Sequence, residues 1–273
     1  MSGDDVIIRP LRSRDDCEAG VRLQRDIWGR DFADVVPATI LQVSQRVGGV
    51  ASGAFAPDGC LVGFVFGISG VRDGVPAHWS DMLAVRPEAR RLGLGRRLKL
   101  HQRRQLLAAG VEHVYWSFDP LMARNAHLNL VALGAEPVEY VPDMYGDTAS
   151  VLHRGLDTDR LIVEWRLRDP AVERILDGDP PEAPAEAREA PIVTVAAAGA
   201  EPGPPPRAPW VRVELPGDIE HLKAEAPEAA RRWQQHLRRA FTTYFGDADA
   251  RVAGLHRDAT GRWFYLVNTA APA

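Results

Sequence analysis

The chain has 273 residues and a net charge of −4, long enough for a sizeable core and for more than one compact unit. That charge gives no bulk attraction to nucleic acid, and two cysteines, Cys17 and Cys60, are too few for a disulfide framework. No apolar run approaches the roughly 20 residues of a membrane span, and Asp4 and Asp5 with no apolar stretch after them exclude a secretory signal, so a cytoplasmic protein that touches no membrane is expected.

In chain order, Val6 to Arg9 reads as a first strand and Asp15 to Trp28 as a helix with Val21, Leu23, Ile27 and Trp28 as its apolar positions. Pro37 to Val47 reads as a second helix, proline at its start. Val50 to Phe55 and Leu61 to Ile68 form a hairpin around Pro57, Asp58 and Gly59. His78 to Val85 is the next strand, followed by Arg90-Arg91-Leu92-Gly93-Leu94-Gly95-Arg96 and a helix from Arg96 to Ala109 closed by Gly110. Val111 to Phe118 is a strand. Leu121 to Leu133 is a helix ended by Gly134, and Pro137 to Val141 and Leu161 to Leu167 are further strands. Nine of the 21 prolines lie between Pro180 and Pro209, within the stretch 169–209. Proline denies a ladder its N–H groups, so an extended connector is expected, with one short strand at Ile192 to Val195. Beyond it, Trp210 to Leu215 alternates as a strand, Ile219 to Phe245 is helical with a restart at Pro227, and Arg251 to His256 and Trp263 to Val267 make a hairpin. Trp210, Trp233, Phe241 and Trp263 are the expected anchors of this terminal β-α-β-β unit, which at about 65 residues is marginal alone and is expected to dock on the preceding sheet or on a second subunit, giving a homodimer. The expected division is 1–168, 169–209 and 210–273.

The Arg/Gly stretch is the most informative. A strand, a turn and a helix N-terminus together aim unpaired backbone N–H groups and the positive end of the helix dipole at one point, which suits a phosphate or pyrophosphate. The dinucleotide fingerprint needs a third glycine where Leu98 stands, and the P-loop needs Gly-Lys-Ser/Thr where Gly95-Arg96-Arg97 stands. Between Arg86 and Arg104 lie eight Lys or Arg and one acid, Glu88, so the turn is strongly cationic. Arg90, Arg91 and Arg96 are the expected phosphate partners, whereas Arg103 and Arg104 are expected on a solvated face. No aromatic residues interleave with these bases, as single-stranded nucleic acid would require.

An Arg-x-x-Gly-x-Gly turn after a strand, and the order β-α-α-β-β-β-α-β-α-β over roughly 5–168, resemble the GNAT acyltransferases. Further stretches, Ile27-Trp28-Gly29, Trp116 to Leu121, Arg124 to Asn129 and Arg154 to Arg160, are similar to a branch of that family with poorly defined substrates, some thought to acylate amino acids. The resemblance implies an α/β fold with a mixed sheet, here carrying the extra C-terminal unit, and acetyl-CoA or another acyl-CoA as co-substrate. It implies a cofactor site built from Arg90, Arg91, Leu92, Gly93, Leu94, Gly95 and Arg96, with Leu83 and Val85 offering main-chain hydrogen bonds to the pantetheine arm and Asn125 a side-chain one. It places a second wall of the cleft at Tyr115 to Phe118. The family's usual tyrosine, the acid for the leaving thiolate, falls at Leu130, and Ala135 replaces its phenylalanine.

Transfer from a thioester to an amine needs a neutral amine. Residues 79, 81, 83 and 85 of a strand share one face, so Asp81 is expected to point with Leu83 into the cleft, as general base, as counter-ion to the amine, or as a turn cap. His78 titrates nearer neutrality and is the alternative base, but the alternation puts it on the opposite face, so it is expected at an exposed strand start, and His127 on a helix surface. Tyr145 is the candidate acid, or else a rim aromatic. Arg154 and Arg160 are placed between pairing a substrate carboxylate and forming a structural turn with Asp157 and Asp159. Cys17 and Cys60 lie outside the expected cleft, so no acyl-enzyme is expected, nor is a metal. The expected activity is N-acyl transfer to a small amine. A non-catalytic acyl-CoA sensor and a protein acetyltransferase are the alternatives.

Overall fold

A computed structural model of the chain describes residues 3, 5–146, 155–195, 198, 203, 206, 208–246 and 250–269. They divide into two compact units, one holding 3–116 with 166–168 and the other 117–146, 155–165 and the described residues from 169 onward. No helix among the described residues is long and apolar enough to cross a membrane.

The first unit is an α/β layer structure around a mixed sheet. Strands β1 (Ile7–Pro10), β2 (Val50–Phe55), β3 (Leu61–Arg72) and β4 (Val75–Val85) pair antiparallel in sequence order, and β5 (His113–Phe118) joins β4 in parallel. The hairpin turn closes as expected, Gly59 N–H to Ala56 C=O, but β3 and β4 run on past Ile68 and start before His78. Helix α1 (Arg14–Trp28) opens with a reciprocal cap: Ser13 Oγ accepts from the Asp16 N–H at 3.0 Å and Asp16 accepts from the Ser13 N–H. With α2 (Ala38–Arg46) it covers one face of the sheet, burying Cys17, Leu23 and Leu41 against Phe64, Phe66, Met82 and Ala84. Helix α3 (Leu94–Ala108) covers the other face, where Leu98 and Val85 pack beside Gly63. Arg103 is not a solvated side chain: its guanidinium donates twice to the Leu167 carbonyl, at 3.2 and 2.6 Å, while Arg104 stays exposed.

In the second unit the expected helix over 121–133 is broken. Helix α4 spans only Ala123–Ala126, and His127–Ala132 is a wider π-helical turn ended by Gly134 at φ 71°. Strands β6 (Glu136–Val141) and β7 (Arg160–Arg166) pair antiparallel. Residues 169–195 of the proline-rich stretch are more ordered than composition suggests. Asp169 caps α5 (Pro170–Leu176), and α6 (Ala185–Arg188) and β8 (Ile192–Val193) follow, burying Val172, Ala187 and Ala190. Strand β9 (Trp210–Leu215), helices α7 (Ile219–Glu225) and α8 (Pro227–Phe245), and strands β10 (Arg251–Arg257) and β11 (Trp263–Asn268) complete a sheet of order β10-β11-β9-β8. Of the expected aromatic anchors only Phe241 is fully buried, with Trp210, Trp233 and Trp263 half-buried; Phe264 and Tyr265 fill the core instead. Phe241 meets Tyr140 of β6 at 5.3 Å between ring centroids, and the Tyr265 hydroxyl donates to the Pro120 carbonyl at 2.7 Å.

Candidate functional site

The first element of the site is a run of backbone that is unpaired among the described residues. The β4–β5 ladder covers only Ala77, His78 and Trp79 against His113, Val114 and Tyr115, although β4 continues to Val85. On its other edge β4 stays paired, Val85 opposite Gly63 and Leu83 opposite Val65, and the Arg86 N–H donates to the Val62 carbonyl at 2.8 Å. Bonded and non-bonded pairs alternate along an antiparallel ladder. With Arg86 bonded, Ala84 and Met82 also turn their amides toward β3, and Leu83 and Val85 turn theirs away from it. Those two residues therefore present N–H and C=O groups along the stretch of edge that β5 does not pair. An extended ligand with its own amides fits such an edge, by the logic of strand addition.

The second element is the Arg/Gly turn. Pro87 opens a 3₁₀ turn, Pro87–Leu92, and Gly93 at φ 65°, ψ 16° redirects the chain into α3. The helix begins at Leu94, two residues earlier than expected. Its first internal bond is Arg97 N–H to Gly93 C=O, and no side chain caps it. The N–H groups of Leu94 and Gly95 thus precede any intrahelical acceptor and lie at the positive end of the dipole. Leu94 is buried and Leu92 half-buried, which anchors the turn from beneath, while Gly93, Arg90 and Arg91 are exposed beside it. Other bases of the cluster have structural work. Arg86 pairs with Asp26 at 2.8 Å, and Arg97 donates to the carbonyls of Gly3 and Val6.

Asp81 does not share a face with Leu83. The β3–β4 register shifts between Phe66↔Met82 and Ile68↔Trp79, so Ser80 and Asp81 both oppose Gly67. Such a bulge resets the alternation. Met82 and Ala84 then face α1 and α2, and Val85, with Leu83, faces α3. Asp81 lies on the α1/α2 side with Trp79, whose indole donates to it, and with Asp34 of the α1–α2 connection. Asp81 is exposed as a residue, yet desolvation raises its pKa above the ordinary range; the Trp79 hydrogen bond opposes the rise and Asp34 adds to it. A carboxylate so placed is a stronger base than a free one and a ready counter-ion for an ammonium group.

His78, expected at an exposed strand start, is fully buried. It belongs to a polar chain on the α3 side of β4. Ser69 Oγ donates to the Gly48 carbonyl at 2.7 Å and lies 2.9 Å from His78 Nδ1; Gln102 Nε2 lies 3.0 Å from His78 Nε2. With the Ser69 hydroxyl already donating, Nδ1 carries the proton and Nε2 accepts from Gln102. Burial, seconded by Lys99, lowers the His78 pKa to about 3. Gln102 Oε1 accepts from Ser80 Oγ at 3.1 Å and from Lys99 Nζ at 3.3 Å. Lys99 Nζ also donates to Ser80 Oγ at 2.8 Å and sits 3.6 Å from the Trp116 ring centre. Burial drives the Lys99 pKa well down. In the sequence Lys99 was simply one of the eight bases between Arg86 and Arg104. Its signal was positional: Lys99 and Gln102 lie on the stripe of α3 marked by Leu94, Leu98 and Leu106.

In the second unit, Tyr145 is 44% exposed. Its hydroxyl is 2.9 Å from Ser117 Oγ and its ring lies under the Arg160 guanidinium, 5.3 Å away. Arg160 also donates to the Asp159 carbonyl at 3.0 Å. The carboxylates of Asp157 and Asp159 pair not with Arg160 but with Arg238 of α8, and Asp159 also accepts from the Tyr140 hydroxyl. Arg154 lies outside the described residues. Asn125 is half-buried on α4, Leu130 is buried in the π-helical turn, and His127 is exposed against Trp263 at 5.7 Å.

No family model matches the sequence, and no curated protein matches it. Among solved structures, the chain is similar to the ribosomal-protein-S18-alanine N-acetyltransferase from Escherichia coli, with 20% identity over 59% of this chain and 94% of that one and a TM-score of 0.45. It is similar to yncA, a putative acetyltransferase from Salmonella typhimurium solved with its cofactor acetyl-CoA, at 16% identity, 61% and 96% coverage and a TM-score of 0.46. Aminoglycoside 6'-acetyltransferase type Ii is similar at 20% identity, 59% and 97% coverage and a TM-score of 0.45.

Proposed function

We propose that the chain is a GNAT-type N-acyltransferase that moves an acyl group from acetyl-CoA, or another acyl-CoA, to the amine of a small molecule such as an amino acid. One observation carries the reading. Among the described residues, an unpaired strand edge, Leu83 to Val85, leads through a 3₁₀ turn into an uncapped helix N-terminus with Arg90 and Arg91 exposed beside it. Amide-bonding edge and anion cradle in series match the two chemically distinct halves of coenzyme A, the pantetheine and the diphosphate. In this reading the diphosphate takes the N–H groups of Leu94 and Gly95 and the guanidinium groups of Arg90 and Arg91.

Asp81 binds the incoming ammonium and accepts its proton. The amine nitrogen then forms a bond to the thioester carbon, the carbon–sulfur bond breaks, the leaving thiolate takes a proton from its donor, the acylated nitrogen gives up its second proton to restore that donor, and Asp81 releases the first proton to solvent. Tyr145 is assigned as proton donor and Asn125 as a pantetheine contact, with Arg154 and Arg160 as partners for an acceptor carboxylate. A homodimer belongs to the same proposal. A thiol-release assay with acetyl-CoA, run against amino acids, other small amines and peptides, tests it. Asp81→Asn is expected to lower kcat/KM by roughly 10²-fold or more with CoA affinity nearly unchanged, and Tyr145→Phe to lower kcat alone. The burial of Leu130 where the family's tyrosine would stand favours one rival, a sensor that binds acyl-CoA without turnover. Tight binding with no thiol released across the panel would select it.

A further inference from the structure

The bulge in β4 decides which way Asp81 faces, and the buried cluster beside it has the form of a fastener. Lys99 is the puzzle. It is fully buried on α3, and no carboxylate among the described residues pairs with it. Burying an amine without a counter-ion costs free energy, and an unbranched apolar side chain of similar length would fill the space without that cost. What lysine adds is directed N–H groups. One reaches Ser80 Oγ at 2.8 Å and a second the Gln102 carboxamide oxygen at 3.3 Å, with the Trp116 ring face at 3.6 Å for the third. Ser80 is the residue of the bulge next to Asp81, and Gln102 in turn holds both Ser80 and His78, so both bonds converge on the strand segment where the alternation resets. On the facing strand Gly67 leaves room for the displaced backbone: a Cβ there would collide with the His78 ring and the Trp79 carbonyl. A strand without its bulge realigns by one residue, which carries a side chain to the opposite face of the sheet.

We propose that Lys99 is a positioning residue: acting through Ser80 and Gln102, it holds the β4 bulge that keeps Asp81 on the α1/α2 face beside Trp79 and Asp34. The catalytic consequence rests on Asp81 serving the transfer reaction proposed above; the structural statement does not.

The test uses the full chain with Lys99→Met, which keeps length and removes the N–H groups. In the wild type the Trp79 indole N–H resonance, assigned with Trp79→Phe, follows the titration of Asp81. In Lys99→Met, with CoA affinity by calorimetry within threefold of wild type, that resonance is expected to stop following Asp81 and kcat to fall at least tenfold. Ser80→Ala, which removes the link but keeps Lys99 on Gln102, is expected to do the same more weakly, and it decides the matter if Lys99→Met does not fold. An indole resonance that still follows Asp81 with kcat unchanged overturns the proposal. A wild type that binds no acyl-CoA overturns the functional reading instead, and the indole titration still decides what Lys99 does.

Discussion

At the scale of single residues, the Arg/Gly turn was legible because its chemistry is local. Gly93 needs a left-handed backbone, and φ 65° is what the structure gives it. A Cβ at Gly93 meets nothing within 4 Å, so Gly93→Ala carries backbone strain without a clash. A loss of about 1 kcal/mol is expected, read as a lowered melting temperature. Arg90 and Arg91 are exposed, so their double replacement by alanine is expected to change stability by no more than about 0.5 kcal/mol. The same variant should weaken acyl-CoA binding at least tenfold, about 1.4 kcal/mol. A variant that binds as tightly as wild type would remove these side chains from the site. Asp81 was found as a residue but turned the wrong way, since one extra residue in a strand leaves no mark in composition or spacing.

At the scale of elements, strands and helices were legible from period and punctuation. What escaped was whatever one element does to another. Lys99 and Gln102 read as polar helix residues because their partners, Ser80 and His78, lie on a distant strand. The π-helical turn replaces an expected helix, and no turn residue announces it. His78 gives this level its pH signature. Its folded pKa of about 3 lies below the ordinary 6.5, so the unfolded chain binds the proton first. The stability it contributes is complete above about pH 6.5 and is lost as pH falls toward 3, at up to about 1.4 kcal/mol per pH unit. His78→Gln is expected to show a shallower loss of stability between pH 6 and 4 in denaturant titrations; an unchanged slope would mean that His78 is not held neutral. Gly67→Ala forces a methyl group into the His78 ring and the Trp79 carbonyl. It is expected to cost about 1–3 kcal/mol, with the Asp81-linked indole signal lost alongside.

At the scale of the whole molecule, the C-terminal third was read in outline and missed in its fastening. Its strands and restarted helix follow their turn and proline signals, but proline content hid α5, α6 and the side chains they bury. Nothing in the stretch 154–160 indicated that Asp157 and Asp159 would answer to an arginine some eighty positions on. Asp159 is 4% exposed and holds Arg238, Tyr140 and the Asp143 N–H. Arg238→Ala leaves that carboxylate buried without its cation and is expected to destabilise the second unit by about 3–5 kcal/mol, read by denaturant unfolding followed at the unit's aromatic residues. An unchanged midpoint would mean that solvent already neutralises Asp159. The account as a whole stands on the cradle formed by Gly93, the start of α3 and the adjoining edge of β4. Calorimetric titration of the full chain with acetyl-CoA, beside the chain carrying Arg90→Ala, Arg91→Ala and Gly95→Val, reads it directly. Saturable binding by the wild type, weakened a hundredfold or more in the triple variant, is the predicted result; no heat with the folded wild type, or equal affinity in both, contradicts it.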